Sequence, residues 1–131
     1  MKRVLLLALS TVVAANVYAV DPAVPQSLNC TLLPSGILQC DYDRNHFTFE
    51  PPATNPVAGT YQFQYAETLK SDLYPVYYYK NGAEEVMLFT EPTQQAKADV
   101  QHSPYWQPAT KTTAIYRCQA EASQCPFESA E

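Results

Sequence analysis

Between residues 60 and 66 the chain alternates. Tyr61, Phe63 and Tyr65 fall on one side of the backbone, and Thr60, Gln62 and Gln64 on the other. A period of two is that of a strand with one buried face, so this stretch predicts a half-buried strand whose three aromatic residues share a side. Phe47–Phe49 alternates over a shorter run that ends at Pro51-Pro52. Pro75–Lys80 and Glu84–Thr90 flank Asn81-Gly82, the strongest short-range hairpin signal. Asp99–Ser103 and Thr112–Gln119 are two further strand candidates, joined by the connection Pro104–Lys111. Glu67–Leu73 lacks the period and reads as a helical turn, and Pro92–Ala98 reads as a short helix with Pro92 at its first position. Some eight short strands at intervals of roughly 8 to 12 residues predict a mostly β chain, a small antiparallel β-sandwich or barrel. Eleven prolines, which break helices and end strands, point the same way.

The first hairpin, Ser27–Asp41, carries a covalent prediction. Leu33-Pro34-Ser35-Gly36 suits a type I turn closed by a left-handed Gly36. With Leu33 opposite Ile37, Leu32 faces Leu38, Thr31 faces Gln39, and Cys30 faces Cys40 on the side shared with Leu32 and Leu38, which is expected to be buried. The chain has four cysteines, Cys30, Cys40, Cys118 and Cys125, and an even count in a small exported domain reads as disulfides. We expect Cys30–Cys40 from the hairpin register and Cys118–Cys125 by elimination. Chain entropy alone favours long-range pairing slightly, about 4.6 against about 2.8 kcal/mol for the local loop, which is too little to outweigh the register. Gaps of nine and six intervening residues are wider than the knuckles zinc prefers.

The amino terminus sets the compartment. Lys2 and Arg3 precede an apolar run, Val4–Ala15, and Val17-Tyr18-Ala19 supplies a cleavage site, which together read as a secretory signal peptide over residues 1–19. The run is shorter than the ~20 residues a membrane span needs, so no anchor is expected after cleavage. Residues 20–26 read as a flexible leader, and 27–131 as one β-rich domain, periplasmic or secreted, of the disulfide-bonded kind. Without Lys2 and Arg3, six basic residues face thirteen acidic ones, a net charge of −7. That charge disfavours nucleic acid and suits a basic partner.

No motif for a reaction is present. Nucleophile elbow, zinc-protease helix and phosphate loop are all missing, and only three glycines occur. Asp41, Asp43 and Asn45 are spaced like calcium-loop ligands, but His46 and Pro52 stand where that loop needs glycine and glutamate. A solvated turn is the better reading. Asn29-Cys30-Thr31 is a glycosylation sequon that a disulfide would block. Thr113–Cys118, with Tyr116 two residues before Cys118, resembles the penultimate strand of an immunoglobulin domain. No tryptophan follows Cys30 at the spacing that family requires, so no function is carried over from it.

The aromatic content offers a surface. Tyr77 and Tyr79 cannot share a face with Tyr78, so one side of their hairpin shows tyrosine to the core and the other to solvent or a partner. Tyr105-Trp106 lies in a proline-bounded connection, where an exposed aromatic anchor is expected. Tyr77, Tyr78, Tyr79, Tyr105 and Trp106 are therefore the candidate binding residues. The resulting expectation is an exported, non-enzymatic binding module without cofactor or metal. It would present a disulfide-held β surface to a protein or glycan, an inhibitor-like role included. Two alternatives stand beside it: an envelope structural or assembly protein pairing through an edge strand, and a small secreted hydrolase built on His46 or His102.

Overall fold

The computed structural model describes residues 23–52, 55–69, 73–91, 95–109 and 115–129. The expected signal peptide, residues 1–19, and the start of the expected leader, residues 20–22, lie outside the described residues. Among the described residues ten strands form: β1 Ser27–Leu32, β2 Leu38–Cys40, β3 Phe47–Glu50, β4 Gly59–Leu69, β5 Tyr74–Asn81, β6 Glu84–Thr90, β7 Lys97–Ala98, β8 Trp106–Pro108, β9 Tyr116–Cys118 and β10 Phe127–Glu128. A 3-10 turn, Ala122–Gln124, precedes β10. The protein is thus mostly antiparallel β, with a curled sheet of eight strands and a two-stranded sheet of β7 and β10. No helix among the described residues is long and apolar enough to cross a membrane.

The order along the sheet is β2-β1-β4-β5-β6-β3, with β9 pairing both β4 and β8. β4 is its spine. On one edge it pairs with β5 from Gln62 to Leu69. Its other edge is shared, with β1 against residues 59–62 and β9 against residues 66–67. Between these halves the register slips, because Phe63 faces Tyr79 while Tyr65 faces Tyr78, which leaves Gln64 as a bulge. A bulge bends its strand and increases the local twist, which curls the sheet.

The slip also inverts the pattern read from the sequence. Tyr61 and Phe63 are buried as expected, but after Gln64 the inward residues are Ala66 and Thr68. Tyr65 does not share the face of Tyr61 and Phe63 and lies on the outer face instead. Glu67–Leu69 continues the strand in place of the expected helical turn, since its backbone is paired with β5.

The first hairpin has the predicted register, Cys30 opposite Cys40, and both expected disulfides form. Gly36 takes φ 90° at the turn. One detail differs. Leu38 is buried, but Leu32 is 45% exposed. β1 meets β4 only as far as Cys30, so Leu32 projects beyond the sheet. The second hairpin turns one residue later than expected. Asn81 pairs with Glu84, so Gly82 and Ala83 make the loop, and Gly82 alone supplies a positive φ, 60°, as a type II′ turn requires.

Toward the carboxyl end the expected strand at Asp99–Ser103 is a turn; of the expected helix at Pro92–Ala98, residues 92–94 lie outside the described residues and Lys97–Ala98 forms β7, which pairs with β10. The connection holding Trp106 forms a strand of its own, β8, against β9. Cys118 is bonded to Cys125 rather than to Cys30, which ends the immunoglobulin likeness.

The core lies within the curl. Leu28, Phe47, Tyr61, Phe63, Tyr77, Tyr79, Val86 and Leu88 line it, and Val24, Ala98, Ala122 and Phe127 close it. Buried tyrosines need a partner for each hydroxyl. Tyr79 donates to the Pro25 carbonyl at 2.6 Å, Tyr77 to Cys125 at 2.8 Å and Tyr61 to Val57 at 2.8 Å. Two of these acceptors lie near the two ends of the described residues, so the tyrosines tie both of those segments to the sheet. Residues 24–26 of the expected flexible leader are held this way. Val24 is buried, and the Gln26 side chain accepts the Ala122 N–H at 2.8 Å.

Two outcomes follow. Gly59 has φ 139°, and a Cβ there would meet Asn81 Nδ2 at 2.6 Å. Gly59→Ala is expected to cost about 1–3 kcal/mol in urea denaturation. Adding Asn81→Ala should recover only the steric part. Replacing Cys118 and Cys125 together with Ser should cost about 2.5 kcal/mol, the loop-closure entropy of an eight-residue ring. An unchanged unfolding midpoint would show that this bridge does not staple the fold.

Candidate functional site

The inverted half of β4 builds the most organised surface among the described residues. On the outer face, Tyr65 stands beside Tyr78 of β5, with ring centroids 4.6 Å apart and planes 22° from parallel. β9 lies on the opposite edge of β4. From there Arg117 reaches diagonally and sets its guanidinium carbon 4.0 Å from the Tyr65 ring centroid. Arg117 Nη1 also pairs with Glu67 Oε2 at 3.3 Å. The order Arg117, Tyr65, Tyr78 is therefore a stack standing across three strands. In register with Tyr78, Met87 of β6 continues the row to Glu50 of β3. Below the row Val76 is buried, and Tyr74 stacks on Phe89 with centroids 6.5 Å apart.

This stack has an electrostatic signature. Burial pushes the Tyr78 hydroxyl up to about 12, and Glu67, Tyr65 and Glu85 add to the rise while Arg117 opposes it. The Tyr65 hydroxyl is raised too, first by burial, then by Glu85 and Glu67. Both tyrosines are thus neutral hydrogen-bond donors at any physiological pH.

The five sequence-derived candidates separate in space. Tyr77 and Tyr79 are fully buried and belong to the core, as does Trp106 at 4% exposure. The expected exposed anchor at Trp106 is overturned by its pairing opposite Cys118 and by its indole N–H, which donates to the Pro126 carbonyl at 2.9 Å. Tyr78 lies in the outer-face stack. Tyr105 is 45% exposed, apart from it. Sequence reasoning missed Tyr65, Glu67 and Arg117. Arg117 was open to discovery, since the residue before a buried strand cysteine must face outward. The facing of Tyr65 depends on a bulge at a glutamine, which has no sequence signature.

The remaining candidates resolve into local structure. Asp41 accepts the Asn29 N–H at 2.7 Å, while Asp43 accepts the Asn45 N–H at 3.0 Å and faces His46 Nδ1 at 2.7 Å. Of the calcium-like set, Asp43 thus caps its own turn while Asp41 is bonded across to Asn29 of β1. His102 repeats the arrangement with Asp99 at 2.9 Å. Ser103, next to His102, is buried and donates its hydroxyl to the Gln124 carbonyl at 2.6 Å, away from the exposed imidazole.

An open groove lies between β2 and the segment leading into β3, with adjoining hollows of about 300 and 240 Å3. Tyr42, stacked on Phe49 at 5.8 Å and covered by Arg44 at 5.0 Å, forms its wall. Both strands bordering it are sheet edges. The bonds from Leu33 N–H to Ile37 and from Asp41 N–H to Asn29 set the hairpin pattern, which turns the backbone groups of Leu38 and Cys40 away from β1 toward the groove.

Comparison with protein-family models, with curated proteins and with solved structures finds no match. The functional reading therefore rests on this chain's own residues.

Ionisation tests the stack. In alkaline titration followed by tyrosinate absorbance, Tyr78 should ionise near pH 12, and Glu67→Gln should move that step toward the ordinary 10.0. The unfolded chain releases its tyrosine protons near pH 10, before the folded one. The contribution of Tyr78 to stability is therefore complete below about pH 10 and lost as pH rises toward 12. Urea midpoints should fall across that window, and less steeply in Tyr78→Phe.

Proposed function

We propose that this chain is an exported, non-enzymatic binding module that holds a protein partner bearing basic side chains against the outer face of its sheet. The Arg117–Tyr65–Tyr78 stack carries the reading. Tyrosine and arginine dominate binding hot spots, and here they are ordered before any partner arrives, so little side-chain entropy is lost on contact. Tyr65 has both ring faces covered, by Arg117 and by Tyr78, and offers a partner its edge and hydroxyl. A glycan platform needs an open aromatic face, so a protein suits this surface better than a sugar does. Glu67 and Glu85 beside the stack and the net charge of −5 favour a basic partner.

Two disulfides suit an oxidising, extracellular-type compartment. With the signal-like segment 1–19, they support export to the periplasm or the medium. The edges of β2 and β3, unpaired among the described residues, favour a second reading, assembly by strand addition at the groove.

The test is affinity capture with the oxidised chain lacking residues 1–19, against envelope extract and culture fluid. Tyr78→Ala and Arg117→Ala should each weaken the captured partner by about 2 kcal/mol, roughly thirtyfold. Tyr105→Ala should leave it unchanged, and far-ultraviolet circular dichroism should match the parent in all three. Retention of the partner by both stack variants would sink the reading. Mass that rises with concentration in sedimentation, without a captured partner, would favour assembly.

A further inference from the structure

The two Asp-x-x-His turns are alike in sequence but not in surroundings. At Asp99-Val100-Gln101-His102 the Asp99 N–H donates to the Pro126 carbonyl at 2.9 Å, which extends the β7–β10 ladder. The His102 N–H donates to Asp99 Oδ1 at 3.2 Å, so the turn is closed around that carboxylate. The β10 register sets Phe127 opposite Ala98 and Glu128 opposite Lys97. Glu128 nonetheless directs its carboxylate to His102, with Oε2 3.9 Å from Nδ1. His102 Nδ1 also lies 2.9 and 3.1 Å from the two oxygens of Asp99. One nitrogen and two carboxylates thus meet, their donor atoms all within 4.8 Å of one another. Around Asp43 and His46 no third such group joins, among the described residues.

We infer that Asp99, His102 and Glu128 form a binding site for a divalent first-row transition ion, of which Zn2+ is the representative. Metal–nitrogen and metal–oxygen bonds of ~2.1 Å place neighbouring ligands about 3.0 Å apart in octahedral and about 3.4 Å apart in tetrahedral geometry. The Asp99–His102 spacing already falls there, while Glu128, on an exposed side chain 3.9 Å from Nδ1, swings inward to complete the set. Two carboxylates offset the charge of the ion. An imidazole nitrogen selects a transition ion over calcium, which takes oxygen ligands in larger number. The ion takes the Nδ1 lone pair, so the bound imidazole is neutral with its one proton on Nε2, and only a doubly protonated ring releases a proton to solvent on binding. Water fills the remaining positions. The ion ties the turn after β7 to β10, the strand that delivers Phe127 to the core.

The His46 turn is an internal control. Zn2+ titrated into the untagged, oxidised full chain should bind with one equivalent by calorimetry, and the His102 imidazole resonances should shift before those of His46. Glu128→Gln should weaken binding at least about tenfold while leaving the melting temperature in the absence of Zn2+ unchanged. Calcium at equal concentration should not compete. The site is refuted if both imidazoles respond at the same Zn2+ concentration or if Glu128→Gln binds like the parent. It is equally refuted if no heat or shift is seen up to about 1 mM Zn2+, the range of negligible affinity.

Discussion

A single inserted residue, the bulge at Gln64, governs the architecture. Side chains alternate along a strand, so one extra residue moves everything beyond it to the opposite face. Before Gln64, β4 sends Tyr61 and Phe63 into the core. After it, β4 sends Ala66 and Thr68, two small residues, into the core under β9. The bend also divides the edge of β4 between β1 and β9. The sheet curls upon its own inner face, and a second sheet of comparable size is not required to bury that face. The same slip takes Tyr65 out of the core and places it between Tyr78 and Arg117. Fold and candidate binding surface have one cause.

Small β domains have little core, and this one strengthens its core by two means. Each disulfide closes a short local ring rather than joining distant strands. Long-range closure is left to buried tyrosines, whose rings fill the core and whose hydroxyls reach backbone carbonyls at Pro25 and Cys125. A phenol suits this task because it combines a large apolar area with one donor at its tip. Tyr77→Phe and Tyr79→Phe would keep the packing and leave those carbonyls unsatisfied, so the hydroxyls rather than the rings hold the chain ends. On the opposite face the same residue type does different work. Tyr65 and Tyr78 are half-buried, stacked and flanked by charge, and their hydroxyls stay available.

Local chemistry made much of this legible in the sequence. Leu33-Pro34-Ser35-Gly36 sets the first hairpin, because turn geometry fixes the register and the register brings Cys30 to Cys40. The alternation at 60–63, the Tyr77/Tyr78/Tyr79 alternation and the β class follow from the same period of two. Each of these depends on residues close together in the chain, where backbone sterics and side-chain parity act without reference to the rest of the fold.

Tertiary structure alone decided the remainder. The bulge at Gln64 lies between the residues of β4 that pair with β1 and those that pair with β9, a long-range arrangement that no residue near Gln64 encodes. Trp106 reads as a loop residue by its prolines, yet pairing with β9 draws it into the core. Asp99, His102 and Glu128 meet because β7 and β10 pair across nearly thirty residues of chain. Short strands of two or three residues carry too little pattern to be read in isolation, and they exist because neighbouring edges supply their hydrogen bonds. The sequence therefore determined the first hairpin turn, the disulfides and the face of each residue up to the first irregularity, and the pairing of distant edges determined which residues became a surface.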